Sequence, residues 1–220
     1  MIVCKNISKV FGAHTKALQN VSINIKEGEY VALVGKSGSG KSTMLNIIGL
    51  IDIPTEGEVY LNSKPVCNMK EKEKAKIRNI EIGYVFQSFY LEKAYPVYKN
   101  VEMPLLIANV SKKERKKRVE EALEKVGLLH KKNEIAKNLS DGEQQRVSIA
   151  RALVNNPEII LADEPCGNLD SENTENIMHI LEKLNKEGKT IVLVTHSKEE
   201  AERARRKITL KDGRIIENEI

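Results

Sequence analysis

Residues Gly35-Lys36-Ser37-Gly38-Ser39-Gly40-Lys41-Ser42 match G-x-x-x-x-G-K-[ST] at every fixed position and follow directly on the apolar run Tyr30-Val31-Ala32-Leu33-Val34. Glycine permits the tight curl that turns several backbone N–H groups toward one anion, and a helix opening near Lys41 adds the positive end of its dipole. The spacing therefore predicts a strand feeding a phosphate-binding loop. Gly35, Ser37, Gly38, Ser39, Gly40 and Thr43 belong to the cradle, Lys41 reaches the β- and γ-phosphates of a nucleotide, and Ser42 holds Mg2+.

Two further segments carry chemistry that such a loop needs. Ile159-Ile160-Leu161-Ala162-Asp163-Glu164 is an apolar strand ending in two acids; Asp163 suits the Mg2+ shell, and Glu164 is placed to polarise an attacking water. Leu139-Ser140-Asp141-Gly142-Glu143-Gln144-Gln145-Arg146 reads as a helix start, in which Ser140 and Glu143 form a capping box and leave N–H groups facing an anion.

These groups need a scaffold, and the hydrophobic patterning supplies one. Residues 2–4 and 17–25, the latter with Leu18, Val21, Ile23 and Ile25 mostly spaced by two, predict a small antiparallel sheet, joined by a strand over 55–62 that turns at Asn62-Ser63. Residues 66–82 are charged and expected to be helical, and a buried strand, Ile82–Phe86, ends at Gln87. From there to about residue 150 the pattern is mostly helical, with one helix opening at a capping box, Ser111 to Glu114, and stopping at Gly127. The last third alternates: strand 158–162, helix 171–187, strand 190–194, helix 197–206, and strand 207–211 turning at Asp212-Gly213 into 214–216. Such alternation implies right-handed crossovers and a parallel sheet, so the fold class is α/β.

With 220 residues, 40% of them hydrophobic, the chain can bury one good core with a small attached subdomain. Its longest apolar runs, 159–162 and 191–194, are strand-sized and far short of a membrane span. The N-terminus lacks the charged region, apolar core and cleavage site of a secretory signal, which places the chain in the cytoplasm. Cys4, Cys67 and Cys166, odd in number and far apart, fit reduced thiols rather than a disulfide framework or a zinc site. A net charge of +5 is too small to argue for nucleic acid, and the basic residues of 112–118 are interleaved at helical spacing with Glu114, Glu120, Glu121 and Glu124, as on a solvated helix face.

Together these segments resemble the ATP-binding subunit of ATP-binding-cassette (ABC) transporters along essentially the whole chain, residues 139–146 being similar to the family signature L-S-G-G-Q/E-Q-Q-R. The resemblance implies a P-loop nucleoside-triphosphatase cassette, with a mainly parallel core sheet and an N-terminal antiparallel β-subdomain across residues 1–87 and 151–220, and a helical subdomain over 88–150 that carries the signature. It implies a head-to-tail homodimer sandwiching two ATP molecules with Mg2+, in which Ser140 and Gly142 of one subunit cover the γ-phosphate on the loop of the other. Gln87 stands in the place of the glutamine that contacts Mg2+ and the water, His196 in that of a histidine contacting the γ-phosphate, and Asp170, in Gly167-Asn168-Leu169-Asp170, in that of an acid bridging the subunits. Phe11 falls where an aromatic ring stacks on adenine, a core phenylalanine being the other reading. Asp141 replaces the first glycine of the signature, either setting a carboxylate beside the γ-phosphate or serving as a first-turn acid. Cys166 stands where relatives commonly have threonine, as a redox-sensitive thiol or as an inert small side chain.

Segments 42–49, 52–57, 100–105 and 163–170 are similar to the branch of macrolide and antimicrobial-peptide exporters and lipoprotein-release systems. This resemblance implies ATP hydrolysis that drives a separate permease, with the chain peripheral at the inner face of the cell membrane and no room after residue 216 for the regulatory domain of some importers. Six of the nine aromatic residues fall between positions 84 and 98. Of these, Phe89, Tyr90, Tyr95 and Tyr98, in a turn-rich stretch with Pro96, are expected to form the docking surface where the family receives a coupling helix. The rival reading is a non-transport ATPase that signals through a membrane partner to cell-wall or cell-division machinery. A nucleic-acid ATPase is disfavoured by the lack of a second cassette, a coiled-coil insertion or a cysteine-rich zinc module.

Overall fold

The computed structural model describes residues 1–12 and 14–219. In chain order the elements are β1 (Ile2–Phe11), β2 (Thr15–Ile25), β3 (Tyr30–Val34), α1 (Lys41–Ile48), β4 (Glu56–Leu61), β5 (Lys64–Pro65), α2 (Glu71–Ile80), β6 (Ile82–Phe86), α3 (Val97–Ile107), α4 (Lys112–Lys125), α5 (Asp141–Leu153), β7 (Ile159–Asp163), α6 (Ser171–Lys186), β8 (Thr190–Thr195), α7 (Lys198–Glu202), β9 (Arg206–Lys211) and β10 (Arg214–Glu219). The chain divides into two compact units, Met1–Ala75 with Asn185–Ile220, and Lys76–Leu184.

In the first unit β1 lies antiparallel between β2 and β4, and β4 pairs with β5. Ile2, Cys4 and Ile7 of β1 meet Leu18, Val21, Ile23 and Ile25 of β2 and Val59 and Leu61 of β4 in one buried layer. β1 runs well past the expected residues 2–4, because bulges between Cys4 and Val10 shift its register against β2 and break the period-two pattern. Asn62 and Ser63 both have positive φ, 48° and 64°, as a two-residue hairpin turn matching the strand twist requires. β3 pairs in parallel with β8 on one side and β9 on the other, and β10 closes antiparallel on β9. Every residue of β8 is buried, as is β3 up to Leu33, which is why these strands read as unbroken apolar runs.

Two expected helices are shorter than their patterns suggested. Residues 66–70 are not helical: Val66 N donates to Val59 O (2.9 Å), continuing the hairpin, and the helix opens only where Lys70 N finds the Glu73 carboxylate (3.0 Å). α7 stops at Glu202 instead of running to 206, because Arg206 pairs with Val31 in β9 and its guanidinium is taken by Glu29 (3.0 Å) and the Asn24 carbonyl (2.9 Å).

In the second unit β6 pairs in parallel with β7, and α5 packs against β6, α3 and α4. Buried pairs four apart, Val101 with Leu105 and Val119 with Leu123, form the inward stripes of α3 and α4. The outer face of α4 carries the pairs Arg118–Glu114 (2.8 Å) and Lys117–Glu121 (3.8 Å). The expected capping box at its start is only half made: Ser111 Oγ accepts from Glu114 N (3.4 Å), but the Glu114 carboxylate is held by Arg118.

Asn100, 1% exposed, pins the loop before α3. Its side-chain oxygen accepts from Glu92 N (2.7 Å), and its amide donates to Glu92 O (3.1 Å), Pro96 O (3.2 Å) and Tyr95 O (3.4 Å). Asn100→Ala is expected to lower stability by about 1 kcal/mol, because it removes the part-buried bonds to Glu92 N and O and weakens the hold on the Tyr95 and Pro96 carbonyls. Urea unfolding checks this, and an unchanged midpoint would show that the loop is held by other contacts.

Candidate active site

In the first unit β3 delivers the chain into Gly35–Gly40 and α1 carries it away. Gly40 has φ 101°, and a Cβ there would stand 2.5 Å from the Ala17 carbonyl oxygen and 2.9 Å from Leu18 Cδ2, so only glycine fits. Gly40 offers no side chain to cap α1, and the first turn of α1 holds no acid, so its N–H groups are left to an external anion. Lys41, 6% exposed, folds back onto the loop and donates to Gly35 O (2.8 Å) and Lys36 O (3.1 Å). Ser39 Oγ is buried with no hydrogen-bond partner among the described residues. Residues 35–39 line a cavity of about 490 Å3 with residues 209–212 and Ile216. Ser42 is exposed and Thr43 half-buried on the opening turn of α1.

Phe11 lies at the end of β1, 45% exposed, with Lys9 Nζ 4.9 Å from its ring centre, so it is not a core residue. His196 is exposed directly after β8, in a turn fixed by Thr195, whose Oγ1 donates to Glu200 (2.7 Å) and accepts from Ser197 N (3.0 Å).

In the second unit Asp163 ends β7 and Glu164 follows it with φ 45°, both half-buried. Phe86 and Asp163 are the last pair in register across the two parallel strands, so Gln87 and Glu164 each follow directly on the end of the ladder. Gln87 Nε2 donates to Asn168 Oδ1 (3.4 Å), and Asn168 Nδ2 returns a bond to Gln87 O (3.3 Å). Gln145, fully buried on α5, donates to both Phe86 O (3.2 Å) and Pro165 O (2.5 Å). Sequence reasoning missed the roles of Asn168 and Gln145; a glutamine inside a helix carries no local sign of the distant carbonyls it will meet. Burial, with the nearby Asp163 charge, pushes the Tyr84 phenol well above its ordinary pKa. Cys166 is 4% exposed, which shields its thiol from solvent oxidants and favours the inert reading.

The helix start at Ser140 forms as its sequence predicts. Ser140 Oγ accepts from Glu143 N (3.3 Å), and Glu143 Oε2 accepts from Ser140 N (3.1 Å). Glu143 Oε1 also accepts from Lys131 Nζ. Gly142 is a close approach: a Cβ there would stand 1.9 Å from Asn173 Oδ1. Asn173 in turn donates from its backbone N (2.8 Å) and side-chain amide (3.0 Å) to the Asp170 carboxylate, and its Oδ1 accepts from Arg146 (3.4 Å). Asp170 is thereby joined to the 139–146 segment within one chain. These bonds, the Asn173 backbone N–H foremost, hold its carboxyl below the ordinary range. Asp141 is exposed in the first turn of α5, where a carboxylate complements the helix dipole.

The four aromatics expected to form one docking surface do not sit alike. Tyr90 is 66% and Tyr95 44% exposed, while Phe89 and Tyr98 are half-buried. Tyr90 meets Phe86 edge-on (5.0 Å), Phe86 stacks on Tyr84 (4.2 Å), and these three line a cavity of about 310 Å3 with Arg78, Pro104 and Arg151. Phe89, Tyr95 and Tyr98 lie outside that lining. As for a cation, the Ser42 hydroxyl, the Asp163 carboxylate and the Gln87 amide oxygen are hard oxygen donors, the chemistry Mg2+ takes.

The family model described as ABC transporter matches residues 18–167. The chain is 49% identical to the ATP-binding protein MJ0796 of Methanocaldococcus jannaschii, over 100% of this chain and 97% of that one. It is 47% identical to the lipoprotein-releasing system ATP-binding protein LolD of Aquifex aeolicus, over 96% of this chain and 94% of that one. A dimeric structure of the MJ0796 cassette matches with a TM-score of 0.92 at 49% identity, covering 100% of this chain and 98% of that one. A second, dimeric in a post-hydrolysis state bound to ADP and Pi, matches with a TM-score of 0.91 at 48% identity and the same coverage.

Burial raises the Glu143 carboxyl, but the hydrogen bonds from Lys131 and from Ser140 N–H outweigh it and hold it below the ordinary carboxylate range. A carboxyl lowered on folding stabilises above its unfolded pKa and loses that contribution as pH falls through the lowered value. Glu143→Gln keeps the capping geometry and removes the charge facing Lys131, so it is expected to cost about 1 kcal/mol at pH 7. The gap from wild type should close in acid, as denaturant unfolding at the two pH values would show.

Proposed function

The chain belongs to the ABC transporter family, and from that premise we propose that it powers export or extrusion, of the antimicrobial-peptide, macrolide or lipoprotein type, through a separate membrane permease. That it is an ATP-binding, ATP-hydrolysing cassette follows from the family and from a close structural relative captured with ADP and Pi. The observation that carries the finer reading is near-full-length similarity to a subunit named for lipoprotein release.

In the proposed reaction two chains bind ATP head to tail and water attacks the γ-phosphate in line. The N–H groups of residues 35–40 and the Lys41 ammonium hold the phosphates, and Phe11 stacks on adenine. Ser42, Asp163 and Gln87 would hold Mg2+, which when bound offsets charge on the phosphate oxygens. Glu164 takes the proton of the attacking water, and His196 contacts the γ-phosphate. Ser140 and Gly142 of the other copy complete the charge stabilisation, and Asp170 bridges the copies. Among the described residues no helix is long and apolar enough to cross a membrane. We place the chain at the inner membrane face, held by its permease at Tyr90 and the neighbouring Phe89, Tyr95 and Tyr98.

Glu164→Gln should bind ATP without turning it over and sediment as a dimer only when ATP is present, while wild type hydrolyses ATP. A monomer under all conditions would refute the shared site. Replacing Tyr90 and Tyr95 together by alanine should abolish ATP-driven transport in vesicles carrying the permease and leave the ATPase activity of the isolated chain within about twofold of wild type. Transport at the wild-type rate would move the docking surface elsewhere.

A further inference from the structure

The backbone just after Gln87 is strained. Phe89 and Tyr90 stand consecutively in the left-handed region, φ 55° and 48°, where a side chain crowds its own carbonyl. Tyr90 N donates to Ser88 O (2.5 Å), closing a γ-turn with Phe89 at its centre, a turn rarely adopted because of its strain. A turn of this kind persists only where its surroundings over-determine it.

Arg151, in the last turn of α5, supplies that constraint. One arm of its guanidinium donates to Phe89 O (2.7 Å), the other to Tyr90 O, and the first also reaches Ser148 Oγ (3.3 Å). On the other side of Gln87, Phe86 O is held by Gln145 of the same helix (3.2 Å). α5 thus grips the chain before and after Gln87, and its own first turn begins at Asp141, inside the signature. The planar fork suits two adjacent carbonyls; the single ammonium of lysine cannot span both in the same way.

We propose that Arg151 is a positioning residue for ATP hydrolysis: its fork holds the Phe89-Tyr90 turn, fixes where Gln87 points, and passes displacement of the exposed Tyr90 ring to α5 and the signature at its start. The inference rests on the reading of Gln87 as a contact to the cation and the attacking water. Arg151 touches neither and acts through the turn.

The test compares Arg151→Gln, Arg151→Lys and Arg151→Gln combined with Phe89→Gly in the full chain, reading kcat and KM for ATP, the urea midpoint, and hydrogen exchange of the amides of residues 88–92. Arg151→Gln is expected to lower kcat about tenfold with KM within about twofold, and to speed exchange in the turn. Arg151→Lys should also lose activity, and it serves as the folded control should the glutamine variant not fold. Glycine adopts the left-handed conformation without strain, so Phe89→Gly should restore kcat of Arg151→Gln to within about threefold of wild type. A wild-type kcat in Arg151→Gln, or a loss that glycine does not recover, overturns the proposal. Gln87→Ala in the same assay separates the premise: if it keeps the wild-type kcat, the reading of Gln87 fails and takes the catalytic link with it, whereas a slow Gln87→Ala with no glycine rescue condemns the clamp alone.

Discussion

A triphosphate carries more negative charge than any side chain can balance, and a protein holds it best with backbone N–H groups fixed before it arrives. Most of the first unit serves that constraint. β3, paired on both sides by β8 and β9, gives the loop a rigid root. The β1–β2 hairpin closes its far side, where the Ala17 carbonyl leaves room at Gly40 for a hydrogen and nothing larger. The uncapped start of α1 follows from the same need, since a capping side chain or a first-turn acid would compete with the phosphate for the same N–H groups.

The second unit solves a different problem, the placement of polar side chains that must act together although they are far apart in sequence. Its solution is to run hydrogen bonds from one helix to several loops. From α5, Gln145 spans from Phe86 to Pro165, Arg151 reaches the turn at Phe89-Tyr90, and Arg146 donates to Asn173 of α6, which binds Asp170. Gln145 Oε1 remains buried without a hydrogen-bond partner among the described residues, so the span between two carbonyls is kept even though its own acceptor goes unused.

What the sequence reveals and what it hides divide along the range of the forces involved. The phosphate loop, the capping box at Ser140 and the turn at Asn62-Ser63 are dictated by residues within a few positions of one another, and each forms where its pattern places it. The apolar strands β3, β7 and β8 are legible because burial on both faces leaves no polar position to interrupt them. The ends of α2 and α7 were misplaced because tertiary partners set them: the Val59 strand for one and the Glu29 carboxylate for the other. Asn100, Gln145, Arg151 and Asn173 look like ordinary helix residues until the carbonyls and carboxylates they bind are brought to them by folding.

The contact between Gly142 and Asn173 ties two positions together. A Cβ at 142 would occupy the place of the Asn173 amide, and moving that amide breaks its two bonds to the Asp170 carboxylate while the Asn173 backbone N–H keeps its own. A larger residue at 142 therefore requires either a new Asn173 rotamer or a smaller residue at 173, and both give up the side-chain bonds to Asp170. The two positions are thus coupled: a change at 142 is felt at Asp170 through a residue that touches both.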